Sequence, residues 1–114
     1  MAKDDYFVIV YQILAYLYQC LKSGKNAEPD KLQHCGELFN IKESYWRYII
    51  FHMQESGLIE GVEFVTNGYM TIPYVGNLEG CMITPEGIGY LCDNSFMEKA
   101  KRFLKTAKEI TPFA

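Results

Sequence analysis

Cations are missing from the middle of this sequence, because no Lys or Arg lies between Arg47 and Lys99. The whole chain carries a formal net charge of −3, and its sequence pI is about 5.3. Residues 1–96 hold six Lys and Arg against twelve Asp and Glu, whereas residues 97–114 hold five against two. Since nucleic-acid-binding domains are usually basic, any DNA-binding surface on this chain must be a local patch.

The sequence also lacks the spacings that mark catalytic and metal sites. It has no G-x-S-x-G, no Gly-rich phosphate loop, no H-E-x-x-H and no paired-carboxylate motif. Its four cysteines are Cys20, Cys35, Cys81 and Cys92. No two of them form a C-x-x-C pair, so we expect reduced packing thiols, with a disulfide or zinc site as the alternative. We expect His34 and His52 to be structural, and the chain to be no enzyme and to hold no metal or cofactor.

Two further absences bear on location. The first residues, Met-Ala-Lys-Asp-Asp, are acidic and do not resemble a signal peptide, so we predict a cytoplasmic protein. The most apolar stretch, residues 5–22, is broken by two glutamines and rich in tyrosine, which argues against a membrane span. A length of 114 residues with 49% apolar residues predicts a single folded domain over 1–114.

Three helices are predicted in the first half of the chain. Residues 5–23 form a helix that is apolar nearly all round, which indicates burial on more than one side. A short helix is predicted over 29–38, with Pro29 in its first turn. The third helix covers 43–56, with Asn40 as N-cap and Glu43 as its capping-box partner.

The periodicity becomes strand-like after the third helix. Residues 58–84 predict the strands of a β-wing, with the Asn67-Gly68 pair favouring a tight hairpin turn. A short helix follows over 85–93, capped by Thr84. The last helix is predicted over 95–110 and is opened by a capping box of Ser95 and Glu98.

This order of elements predicts an α+β fold. Three helices followed by a β-ribbon are typical of a winged helix-turn-helix, in which the helix over 43–56 holds the recognition position. The C-terminal amphipathic helix is additional to that motif.

Four segments of the sequence carry a family resemblance. They are Glu43-Ser44-Tyr45-Trp46, Gly57-Leu58-Ile59-x-Gly61, Ile83-Thr84-Pro85-Glu86-Gly87-Ile88-x-Tyr90-Leu91, and Asp93-Asn94-Ser95 with Lys99-Ala100-Lys101-x-Phe103-Leu104. Through them the whole chain resembles the small YjcQ-type proteins of Gram-positive bacteria and their phages. The resemblance implies a winged-helix fold and brings no catalytic residues with it.

The outer face of the helix over 43–56 is the predicted DNA-reading surface. The candidate residues are Lys31, Lys42, Ser44, Arg47 and Gln54. Arg47 could pair with guanine and Gln54 with adenine, and the lysines could contact phosphates. The predicted wing carries Glu60, Glu63 and Glu79 but no cation, which weakens this reading because phosphate contacts supply much of the affinity. An alternative basic face consists of Lys101, Arg102, Lys105 and Lys108.

The apolar surface of the first and last helices predicts a homodimer, because one small domain cannot easily cover both. The candidate interface residues are Phe7, Tyr11, Tyr18, Phe96, Ala100, Phe103, Ala107 and Ile110. The predicted function is a DNA-binding transcriptional regulator of bacterial or phage origin, acting on double-stranded DNA. The alternative is a non-catalytic module that binds an unknown protein partner on a winged-helix scaffold.

Overall fold

The computed structural model describes residues 1–69 and 71–107, and it has an α+β architecture. Its helices are α1 (Tyr6–Ser23), α2 (Glu43–Glu55), α3 (Pro85–Asp93) and α4 (Ser95–Ala107). Its strands are β1 (Ile59–Glu60), β2 (Glu63–Val65), β3 (Tyr74–Asn77) and β4 (Met82–Ile83). The predicted α+β class is confirmed. The end of the helix predicted over 95–110 lies outside the described residues.

Helix α1 is the centre of the core. Ile9, Ile13 and Leu14 are fully buried, and the helix contacts α2, α3, α4 and β4. Even Gln12 is buried, because its side-chain amide donates a 2.6 Å hydrogen bond to the carbonyl of Leu38. The apolar pattern around α1 is therefore explained by neighbours on several sides, as the sequence predicted.

The prediction of a helix over 29–38 is wrong. Only a single 3-10 turn forms, at Pro29–Leu32, and the chain then becomes irregular. In an α-helix, the Leu32 carbonyl would accept a hydrogen bond from the backbone N–H four residues later. Here it accepts a 2.8 Å hydrogen bond from the indole N–H of Trp46. The N–H of Gly36 donates instead to a carbonyl three residues further along. Long-range packing of the tryptophan thus replaces a local helix.

Two of the predicted helix caps differ in the structure. Helix α2 begins after Lys42, and no side chain caps it. Asn40 lies instead in a β-bridge opposite Cys35, so it cannot reach the first turn of α2. At α4, Asn94 rather than Ser95 is the cap, because its Oδ1 accepts hydrogen bonds from the first-turn N–H groups at 2.8 and 3.3 Å.

The cap predicted for α3 is confirmed. The Thr84 hydroxyl oxygen accepts a 2.9 Å hydrogen bond from the N–H of Gly87. The same hydroxyl donates to the carbonyl of Gly57. One side chain thereby starts α3 and also connects it to the end of α2.

The strands that follow α2 form two separate antiparallel ladders. Strands β1 and β4 pair with Ile59 opposite Ile83, and β2 and β3 pair with Val65 opposite Tyr74. Between the ladders the backbone of Gly61 has φ +86°, and a Cβ there would lie 1.9 Å from the carbonyl oxygen of Gly80, in the turn before β4. Because Val65 pairs with Tyr74, the β2–β3 hairpin does not have the two-residue Asn67-Gly68 turn that the sequence predicted.

Helix α4 packs on α1 within the same chain. Val8 of α1 is fully buried against Ala100 and Leu104 of α4. Phe7 stacks on Phe96, with the ring centres 4.4 Å apart and the planes 8° from parallel. The two apolar surfaces that motivated a homodimer therefore pack in part against each other.

This packing buries only part of the proposed dimer interface, since Ala100 is fully buried but 43% of Phe96 remains exposed. Tyr11 and Phe103 pack against the same α1–α4 cluster, and Tyr18 packs against the main core. Nothing is described for the side chain of Ala107, and Ile110 lies outside the described residues. One chain thus covers part of both stripes by itself, which weakens the argument for a homodimer. Across the described residues, none of the helices has the length and apolar content needed to cross a membrane.

Candidate functional site: a basic groove

The predicted DNA-reading face of α2 is covered by the β2–β3 hairpin. The Phe51 ring meets the Phe64 ring edge-on, with their centres 5.6 Å apart. Gln54 uses both ends of its side-chain amide on Val62, accepting from its N–H and donating to its carbonyl, each at 2.9 Å. A side chain held by two backbone hydrogen bonds is not presented to a base edge in this conformation.

Arg47 is held against the hairpin as well. Its guanidinium carbon lies 4.5 Å from the centre of the Tyr74 ring, and Nη1 lies 3.4 Å from the carbonyl of Ile72. Nε lies 3.4 Å from Oε2 of Glu43, but this ion pair lacks hydrogen-bond geometry, since the buried Nε has no hydrogen-bond partner among the described residues. Only 18% of the side chain is exposed. Arg47 thus fastens the hairpin to α2.

The other predicted DNA-binding residues do not form a contact surface together with Arg47 and Gln54. Lys31 is partly buried, with its ammonium 3.5 Å from Glu28 and 3.9 Å from Glu37. Lys42 and Ser44 are exposed at the start of α2. Their role in DNA binding stays a prediction, whereas the structure assigns Arg47 and Gln54 contacts within the chain.

The other basic face predicted from the sequence lies beside a groove. An open cavity of about 620 Å³ is bounded by α1, the end of α3 and α4. Its lining residues are Tyr11, Ala15, Tyr18, Gln19, Lys22, Leu91, Cys92, Met97, Glu98, Lys101, Arg102 and Lys105. We refer to this set as the basic groove, since four cationic side chains and a single carboxylate line it.

Helical periodicity explains how the basic groove is built. On α1, residues 11, 15, 18 and 22 recur at spacings of three and four and therefore share one face. On α4, positions 98, 101, 102 and 105 do the same. Because Ala100 and Leu104 are buried against α1, the basic residues of α4 come to lie along the edge of that contact.

Lys22 was missed by sequence reasoning. It is 79 positions from Lys101, so only tertiary packing brings the two into one groove. Its ammonium lies 4.5 Å from the centre of the Tyr18 ring. The sequence feature that could have identified Lys22 is its helical spacing from Tyr18 and Tyr11, which places all three residues on one face of α1. Of the predicted basic face, Lys108 alone lies outside the described residues.

The charges inside the basic groove are only partly compensated. Arg102 donates from Nη2 to Oε1 of Glu98 at 2.7 Å, but both side chains are largely exposed. Exposed ion pairs of this kind are weak and screened by salt. An anion entering the groove can therefore compete for Arg102 at little cost, while Lys101 and Lys105 are exposed beside it.

The floor of the basic groove is aromatic. Tyr11 is half-buried against the α1–α4 cluster, and burial raises the pKa of its phenol above the usual 10.0. It is therefore neutral and able to donate a hydrogen bond near neutral pH. Cys92 lines the same groove and is exposed, contrary to the expectation that it packs inward.

The other polar residues singled out in the sequence have structural contacts. Nδ1 of His34 lies 3.0 Å from the carbonyl of Ile41, and the ring lies near Trp46. His52 contacts two neighbouring rings of α2, including Tyr48 at 4.4 Å. All four cysteines are free thiols, and the residues that the structure describes include no His, Cys, Asp and Glu group able to hold a metal ion. The four cations that line the basic groove make it a candidate site for an anion.

Comparison with known proteins identifies one match. Neither the curated proteins nor the solved structures contain a significant match to this chain. The family model described as YjcQ protein matches residues 11–110, which include α2, the four strands, α3, α4 and most of α1. That range includes every described residue that lines the basic groove. The chain belongs to the YjcQ protein family.

Proposed function

We propose that this chain is a non-catalytic, cytoplasmic DNA-binding regulator of bacterial or phage origin that contacts nucleic acid through the basic groove. One observation carries the proposal: Lys22 of α1 joins Lys101, Arg102 and Lys105 of α4 around a single cavity. These cations are concentrated on one face of a chain whose net charge is negative. Local concentration of cations is the electrostatic feature that phosphate binding requires.

The order of elements supports a modified winged helix as the scaffold. Helix α1, the 3-10 turn at Pro29–Leu32, α2 and the two β-ladders follow one another as the elements of that motif do. The second helix of the motif is reduced to the 3-10 turn. The wing is folded against the recognition position, so contact with DNA falls to a different surface.

The salt dependence of binding tests the proposal. Four phosphate contacts predict that log K falls with log salt with a slope of roughly −3 to −4. We would titrate a fluorescein-labelled DNA by anisotropy at several salt concentrations. The double variant K101E/K105E should lower the affinity at least about tenfold and flatten the slope, because two counterion-releasing contacts are reversed in sign.

A matched charge reversal provides the control. Lys25 and Lys99 are exposed lysines that do not line the basic groove. The double variant K25E/K99E carries the same change in charge and should leave the affinity within about twofold, as expected for residues outside the contact surface. Absence of DNA binding at low salt, or equal losses in K25E/K99E and K101E/K105E, would overturn the proposal.

A second function is favoured by the outer side of the hairpin. Tyr69 is fully exposed, and Val65 and Tyr74 are about half exposed, beside the acidic residues Glu60 and Glu63. Exposed aromatic residues are common at protein interfaces. A protein-binding module of this kind would capture the same partner from a cell extract with K101E/K105E as with the wild type and would lose it with Tyr69→Ser.

A further inference from the structure

We infer that the basic groove takes single-stranded nucleic acid, with phosphates on its cationic edge and bases against Tyr11 and Tyr18. This inference rests on the proposed function and narrows its ligand class. Single-strand sites combine a positively charged groove with aromatic rings on which bases stack. The basic groove contains both features, four cations and two tyrosines.

The dimensions of the groove suit a strand. Tyr11 and Lys22 mark the ends of the α1 wall, which at the helical rise is about 16 Å long. A volume of about 620 Å³ lies within the range of sites that enclose a small organic ligand. A few unpaired nucleotides fit such a concavity, whereas a duplex needs a helix or ribbon that projects into its groove.

The aromatic rings are placed at a regular interval. Tyr11 and Tyr18 are seven positions apart on one face of α1, or about 10 Å along the helix axis. One face of the Tyr18 ring is covered by the Lys22 ammonium, which lies 4.5 Å from the ring centre. A base can take that position while the ammonium moves to a neighbouring phosphate, which keeps the charge paired.

The elements that would read a duplex are not available. The outer face of α2 is covered through Arg47, Phe51 and Gln54. The hairpin that covers it contains no Lys or Arg. The basic groove therefore binds nucleic acid through phosphate contacts and base stacking, and every single strand offers both regardless of its sequence.

The first test compares two probes on the intact chain. We would measure the anisotropy of a labelled oligothymidylate of about 12 nucleotides, alone and annealed to its complement. We expect the single strand to bind at least about tenfold tighter than the duplex. Tyr18→Leu should lower single-strand affinity roughly five- to a hundredfold, whereas Tyr18→Phe keeps the ring and should retain it.

Tyr69 offers a matched control for the loss of a tyrosine. It is fully exposed on the hairpin loop and does not line the groove. Tyr69→Leu should therefore leave the affinity for the oligothymidylate unchanged. A circular dichroism melt of each variant would show that Tyr18→Leu is folded at the temperature of the binding assay.

The second test locates the strand by thiol protection. Cys92 is exposed and lines the basic groove, whereas Cys35 is exposed elsewhere. Bound oligothymidylate should slow the alkylation of Cys92 by iodoacetamide at least several-fold and leave that of Cys35 unchanged. Mass spectrometry of the two cysteine peptides measures both rates in one sample.

The outcomes separate the two proposals. If neither probe binds at low salt, the proposed DNA-binding function fails. If the duplex binds as tightly as the single strand and protects Cys92, that function stands and the single-strand inference is overturned. Single-strand binding that leaves Cys92 reactive, or that survives Tyr18→Leu, also overturns the inference, because the strand would then lie outside the basic groove.

Discussion

The guanidinium carbon of Arg47 lies 4.5 Å from the centre of the Tyr74 ring. Arg47 belongs to α2 and Tyr74 to β3, so this contact joins α2 to the β2–β3 hairpin. The arginine that was predicted to read guanine thereby becomes part of an internal contact. The charge available to a ligand lies instead in the basic groove.

Replacing Arg47 should affect stability more than DNA binding. Arg47→Ala removes a mostly buried cation–π contact, which should lower the free energy of unfolding by about 1–2 kcal/mol. Urea denaturation measures this, with Lys42→Ala as the exposed control. A variant of normal stability that no longer binds DNA would restore the role that the sequence predicted for Arg47.

Gln54 should be important for docking the hairpin. Gln54→Leu leaves the N–H and carbonyl of the buried Val62 without their 2.9 Å partners, which should cost about 1–3 kcal/mol. Hydrogen exchange should show a faster-exchanging Val62 amide in the variant. The neighbouring change Glu55→Leu, at an exposed position, should leave that amide protected. Unchanged protection in Gln54→Leu would show that the hairpin is held by other contacts.

Replacing each of the two glycines of α3 by alanine should change the stability of the fold in opposite directions. A Cβ on Gly87 would lie 2.2 Å from the carbonyl oxygen of Leu58, so Gly87→Ala must push α3 away from the chain after α2 and destabilise the fold. A Cβ on Gly89 would meet nothing within 4 Å, so Gly89→Ala should stabilise α3 by about 0.5–1 kcal/mol through helix propensity. Thermal melts that shift in the same direction for both variants would contradict this packing.

The buried thiol of Cys81 should make the fold sensitive to alkali. Burial raises its pKa from 9.0 to about 12, because the thiolate is poorly solvated inside the protein. The thiol is neutral when protonated, so this contribution to stability is complete below pH 9 and is lost as the pH rises towards 12. Denaturation across that range should show a steeper loss for the wild type than for Cys81→Ala. The variant Cys92→Ala, at an exposed thiol, should follow the wild type.

The intact chain should sediment as a monomer. Helices α1 and α4 bury much of their apolar faces against each other, through Val8, Ala100 and the Phe7–Phe96 stack. We therefore expect a mass near 13.2 kDa by sedimentation equilibrium at high micromolar concentration. A stable species of twice that mass would show that another surface mediates a dimer.

Local chemistry explains which parts of the fold the sequence predicted well. The Thr84 cap depends on neighbours within three positions, as do the helical spacings that predicted burial of α1. Such short-range signals are complete in the sequence itself. The same reasoning identified Lys101, Arg102 and Lys105 as one basic face, since they lie within two turns of α4.

Long-range contacts explain the errors. The segment over 29–38 has helical periodicity, yet Trp46 takes the Leu32 carbonyl and leaves only a 3-10 turn. The apolar stripes of α1 and α4 were correctly recognised, but their partner was taken to be a second chain. A pattern shows that a face must be buried and does not show what buries it.

The sequence by itself therefore determined the α+β class, the family, the buried first helix and the basic face of α4. Only the tertiary structure decided that the hairpin covers Arg47 and that Lys22 joins the cations of α4. The physical reason is separation along the chain. Helical periodicity and capping act over a few residues. Tyr74, which contacts Arg47, is about 27 positions away from it, and Lys101 is about 79 positions away from Lys22. Packing of the whole core brings such distant residues together.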